Sequence, residues 1–156
     1  MSFSGKPTTF VEQIIENDGF WPNFSVAEFQ KGYRLPAEYL GEMLAADLTM
    51  AMIEVNTDLA AVKTKLLAAD VSNLEAAAGV STPAEWAYAH KAILYKRAVY
   101  ARAKASLLTQ FATVTRRESA ENTAKELPER SETFLAFSQD AVRLLQGRGR
   151  ISVALL

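Results

Sequence analysis

The chain has no cysteine, which removes disulfides, thiolate metal sites, a cysteine nucleophile and a thiol redox switch together. It has one histidine, His90, so no site needing two imidazoles can be built. Net charge is nearly absent as well. The 17 lysines and arginines against 18 aspartates and glutamates leave a formal −1, which is not the balance of a polyelectrolyte binder. No apolar run suffices for a membrane span: the longest apolar-rich stretch, Leu40 to Ile53, is broken by Glu42 and Asp47. The first nine residues hold one lysine and no apolar h-region, so no targeting segment is read there. The seven glycines form no phosphate-cradling turn before a Lys-Ser/Thr pair, and no serine stands in a Gly-x-Ser-x-Gly elbow. Glu38 and Glu42 share a helix face, but no histidine follows at i+3 and no second such pair exists. His90 falls in mid-helix between Trp86 and Leu94, a structural or interfacial position rather than that of a general base. No catalytic residue, metal or cofactor is assigned, and the expectation is a non-enzyme.

What the chain does have is one domain's length of sequence, 156 residues and 49% hydrophobic. Its charge is unevenly spread. Residues 1–80 carry 5 basic against 11 acidic side chains, a net of −6, and residues 81–156 carry 12 against 7, a net of +5. That asymmetry suits either two differently decorated helical surfaces, or a subunit whose acidic side meets a neighbour's basic side or whose basic side meets nucleic acid.

Residues 1–24 read as an extended arm with scattered large apolar residues, densest in Gly19-Phe20-Trp21-Pro22-Asn23-Phe24. Three aromatics around a proline are costly to leave in water, at roughly 1.5–3 kcal/mol for each fully buried side chain. The arm therefore packs either on its own helices or on another subunit. The second alternative makes Phe20, Trp21, Pro22 and Phe24 inter-subunit anchors.

The expected domain over residues 25–147 is an all-α helical bundle. Ser25-Val26-Ala27-Glu28 fits a capping box, followed by a short helix that stops near Gly32. From Pro36 to about Ala69 the apolar residues Leu40, Leu44, Leu48, Met52, Val55, Leu59, Val62 and Leu66 step by threes and fours, which predicts one long amphipathic helix. A connection over 70–81 follows, with a helical turn near 73–78. Thr82-Pro83-Ala84-Glu85 then starts a helix running to about Arg117. One stripe of that helix is mostly small: Ala87, Leu94, Ala98, Ala101, Ala105, Leu108 and Ala112. A neighbouring stripe mixes core-sized and basic residues, with Arg97 and Lys104 expected to bury their stems and keep their heads wet. Arg97, Arg102, Lys104, Arg116 and Arg117 form a candidate basic strip facing DNA or a lumen. Residues 116–129 read as a charged loop. A last helix from about Pro128 to Gln146 turns Phe134, Phe137, Ala141, Leu144 and Leu145 inward and stops at Gly147.

Residues 148–156 read as a strand-like tail, with Arg148 and Arg150 before an alternating run of Ile151, Val153 and Leu155 that ends in Leu156. No second strand is expected to pair with it. The tail is thus disordered in isolation, or it adds to another protein's sheet.

The order of these features goes further. A Phe20-Trp21-Pro22 arm, a long acidic helix, the run Tyr95-Lys96-Arg97-Ala98-Val99-Tyr100-Ala101-Arg102-Ala103-Lys104-Ala105-Ser106-Leu107 and the ending Leu145-Gln146-Gly147-Arg148-Gly149-Arg150-Ile151 together resemble the L-type (GPL) head completion proteins of contractile-tailed bacteriophages. The family usually has Pro-Asp after the aromatics, where this chain has Asn23. The resemblance implies a virion protein of the head–tail junction, present in the host bacterial cytoplasm during assembly. It implies a connector subunit that joins the portal after DNA packaging, in a ring that is commonly twelve-fold. It also implies that the tail docks on the portal protein, that neck and tail terminator proteins dock on the ring, and that packaged double-stranded DNA lies nearby. No membrane is involved. A DNA-binding helical packaging factor is the alternative.

Overall fold

The computed structural model describes residues 10–35, 39–111 and 130–149. Among them it is helical, in the order β1 (Ile14–Ile15), β2 (Phe24–Ser25), α1 (Val26–Gly32), α2 (Gly41–Asp58), α3 (Ala60–Ala68), α4 (Leu74–Ala77), α5 (Pro83–Phe111) and α6 (Ser131–Leu145). The two short strands pair antiparallel, Ile14 opposite Ser25 and Ile15 opposite Phe24. This corrects the expectation that nothing but the tail is strand-like. The arm folds back on itself and so supplies its own pairing partner. Residues 150–156 lie outside the described residues.

The helix starts follow their caps. The Glu28 amide donates to Ser25 Oγ at 3.2 Å, and the Glu85 amide to Thr82 Oγ1 at 3.2 Å. The return half of each capping box goes elsewhere. Glu85 accepts from the Ser81 amide at 2.9 Å, and Glu28 accepts from the Tyr100 hydroxyl at 2.8 Å. Tyr100 is buried, so its hydroxyl needs an acceptor.

The predicted 36–69 helix is two helices with a bend at Leu59, whose backbone stands at φ −101°, ψ 10°. At the bend Gln146 Nε2 donates to the Asp58 carbonyl at 3.0 Å, a side chain brought in from beyond α6. Leu44, Leu48, Met52, Val55 and Leu59 form the buried face, whereas Leu40, expected on it, is 65% exposed. α5 is the axis, about 43 Å long at 1.5 Å per residue. α6 lies antiparallel on it. Ser138 Oγ donates to the Ala98 carbonyl at 2.7 Å, Phe134 sits beside Lys104, and Leu144 shares a groove with Leu94. Ala98, Ala101 and Ala105 are buried, as close helix packing requires, but Ala87 is exposed and Leu94 and Leu108 are half-buried. On α6 Ala141 and Leu145 are buried, Phe134 and Phe137 are half-buried, and Leu144, expected inward, is 49% exposed.

Candidate functional site

The arm is built into the subunit. Phe20 is 3% exposed, Trp21 2% and Phe24 0%, with Pro22 buried between them. Trp21 stacks on Tyr95 of α5, with ring centroids 4.5 Å apart and planes 7° apart, and Phe20 meets Trp21 edge-on at 4.9 Å. These four residues were candidate inter-subunit anchors; within the subunit Phe20, Trp21, Pro22 and Phe24 are buried against the chain's own core. The reason is a set of polar contacts that periodicity does not display. Asn17 Nδ2 donates to the Pro22 carbonyl at 2.9 Å and to the Tyr95 hydroxyl at 2.7 Å. That hydroxyl donates to Asn56 Oδ1, and Asn56 Nδ2 returns to Asn17 Oδ1 at 2.9 Å. Burial pushes the Tyr95 hydroxyl well above its ordinary pKa. Asp18 closes the turn, its Oδ1 accepting from the Phe20 and Trp21 amides at 3.0 and 3.1 Å and its Oδ2 from Lys63 at 2.7 Å. Partial burial would raise Asp18, but these hydrogen bonds outweigh it and hold the carboxyl below its usual range. From α4, the Leu74 amide donates to the Phe20 carbonyl and Asn73 Nδ2 to the Gly19 carbonyl, both at 3.0 Å. The one sequence signal for this clasp was the turn-forming run Asn17-Asp18-Gly19, with Gly19 at φ +84°.

The basic strip is dispersed. Arg102 is turned into the subunit, its Nε donating to Ser138 Oγ at 3.1 Å and its guanidinium paired with Asp58 at 2.9 Å and Glu54 at 3.6 Å. Lys104 is 2% exposed, so its head is not wet as expected; the ammonium donates to the Tyr33 carbonyl and lies 4.6 Å over the Phe134 ring. Arg97 alone of the three is exposed, 4.8 Å over the Phe137 ring. Arg116 and Arg117 lie outside the described residues. Arg102 and Lys104 are thus both engaged by groups of their own subunit.

The last described residues leave the body cleanly. Gly147, at φ +74°, ends α6, with its amide bonded to the Leu144 carbonyl at 3.0 Å and the Arg148 amide to the Arg143 carbonyl at 2.8 Å. This is a Schellman turn. Arg143 also holds the Gly149 carbonyl through Nε and Nη2 at 3.2 and 3.1 Å. Arg148 and Gly149 are exposed. Arg150, Ile151, Val153, Leu155 and Leu156 lie outside the described residues. Among the described residues no cluster of three or more histidines or carboxylates is placed to hold a metal ion, and no helix is long and apolar enough to cross a membrane. His90 is exposed at the surface of α5 beside Trp86, with ring centroids 5.7 Å apart.

A family described as phage head completion protein (GPL) matches residues 15–156. A protein of Haemophilus phage HP1 (strain HP1c1), described as a probable head completion/stabilization protein, is 35% identical over 154 residues, covering 99% of each chain. No solved structure matches the chain significantly.

Proposed function

The chain belongs to the phage head completion protein (GPL) family, and from that premise we propose that it is a connector subunit, with copies forming a ring under the portal after DNA packaging. Its role in completing the phage head is structural. In this reading the ring, twelve-fold by the resemblance, retains the genome and presents the surface on which neck and tail proteins dock.

The observation that carries the reading is the exit at Gly147. The Schellman turn finishes α6, and Arg148 and Gly149 stand exposed beyond it. The tail of residues 148–156, whose first two residues are exposed, is the portal-docking element of the proposal. Its alternating apolar row suits addition to an exposed sheet edge. Unequal charge in the two halves of the chain suits the head-to-tail contacts of a ring, in which one face meets a different face of the next copy.

Electron microscopy of the full-length protein mixed with its own phage's portal tests this. The expected result is a ring of subunits at the portal's narrow end. A chain lacking residues 150–156 keeps the Schellman turn, so its thermal unfolding should match the intact protein while portal decoration is lost. Replacing Ile151 and Val153 by Asp should have the same effect. Truncated protein that decorates portals at full occupancy overturns the assignment of the tail.

A further inference from the structure

A pocket of about 360 Å³ opens between the end of α1 and the facing sides of α5 and α6. Three cations meet three rings there: Arg34, Arg97 and Lys104 with Tyr33, Phe134 and Phe137. Lys104 is recessed, bonded to the Tyr33 carbonyl and lying over Phe134. Arg34 and Arg97 are exposed, and neither is ion-paired to a carboxylate among the described residues. Asp140 borders the adjoining groove with Arg97. Arg34 also sits at φ 49°, the left-handed position after a helix end where glycine or asparagine ordinarily stands. The Leu35 amide bonds to the Gln30 carbonyl at 3.3 Å across this turn, so the conformation closes α1, at some backbone cost for a residue other than glycine.

We propose that this pocket receives an acidic segment of a protein partner, with a carboxylate between Arg34 and Arg97 and an adjacent apolar side chain against the Tyr33, Phe134 and Phe137 rings. Two planar guanidinium forks match a carboxylate's paired oxygens. Duplex DNA fits less well. Its phosphates run along a convex rod and are met by cations projecting in a row, whereas this cavity is concave. Arg97 covers one face of Phe137 and Lys104 one face of Phe134, which leaves less ring face for stacked bases; a small apolar side chain needs less of it. A single acidic side chain on a protruding turn or helix enters such a cavity. The proposal does not depend on the ring, since the pocket lies within one subunit.

The test titrates the ¹⁵N-labelled full-length protein with three probes: a blocked peptide of alternating Leu and Glu, inorganic phosphate, and a short duplex of random sequence. The peptide should shift the amides of Gly32 and Ala101, and the double variant Arg34→Gln, Arg97→Gln should weaken it by about tenfold or more. Arg34→Gly separates binding from folding: relief of the backbone strain should raise the melting temperature while peptide affinity falls. Shifts absent with the peptide overturn the proposal, as does affinity unchanged in the double variant. So does a duplex, or phosphate alone, moving these amides where the peptide does not.

Discussion

Trp21 is 2% exposed and stacked on Tyr95, so truncating it acts first on the folded monomer. Trp21→Ala should cost roughly 3–5 kcal/mol in denaturant unfolding, and any assembly defect should follow that loss in proportion. The indole also carries a cost of its own: Nε1 is buried with no acceptor among the described residues, and an unsatisfied buried donor costs about 1–3 kcal/mol. Trp21→Phe keeps a ring against Tyr95 and removes that donor, so it should cost less than half of what the alanine variant does. Asp18 gives the matching electrostatic expectation. Its folded carboxyl lies below the ordinary range, held by Lys63 and the Phe20 and Trp21 amides. A depressed acid stabilises the fold above its unfolded pKa, and that stability is lost as pH falls through the folded value. Unfolding midpoints should therefore drop less between neutral pH and pH 3 in Asp18→Asn than in the parent, and the two proteins should converge in acid. Equal drops would show that the Asp18 contacts contribute nothing to folding.

Local signals placed the helices well. Ser25, Thr82 and Gly147 mark ends that the structure keeps, because a cap is settled by a few neighbouring residues. The bend at Leu59 was not legible, since Gln146, which bonds to the Asp58 carbonyl there, comes from 88 residues away. The helical period also runs through the bend unbroken. The mixed stripe of α5 straddles the core edge unevenly. The structure resolves it along the helix: Trp86 and Ile93 are 55% and 65% exposed near the start, while Tyr100, Lys104 and Leu107 are buried further on. At the end of α6 two glycines differ sharply. Gly147 needs φ +74°, whereas Gly149 does not, and an added Cβ meets nothing at either position. Gly147→Ala should thus cost about 1–2 kcal/mol of stability from backbone conformation alone. Gly149→Ala should stay within about 0.5 kcal/mol. Thermal melts of the two variants read the difference directly.

Across the molecule, part of the −6 and +5 asymmetry is satisfied internally, as Arg102 of α5 meets Glu54 and Asp58 of α2, and Lys96 meets Glu28. Exposed pairs of this kind add little stability, but they withdraw charge from any outer face. The helical architecture was readable because each amphipathic face repeats within its own segment. The attachment of the arm was not, because Asn17 and Tyr95 are 78 residues apart and their meeting leaves no periodic trace. The same long-range clasp has a consequence for how the chain is made. Trp21 and Phe24 are synthesised before the Tyr95 ring that covers them, which follows 74 residues after Trp21. At about 5–20 residues per second, that is roughly 4–15 seconds during which the most apolar part of the arm has no finished core to enter. The arm is thus synthesised well before the ring that buries it. A nascent chain stalled before Tyr95 should hold these aromatics open to a chaperone, and one stalled well past Leu107 should have closed over them.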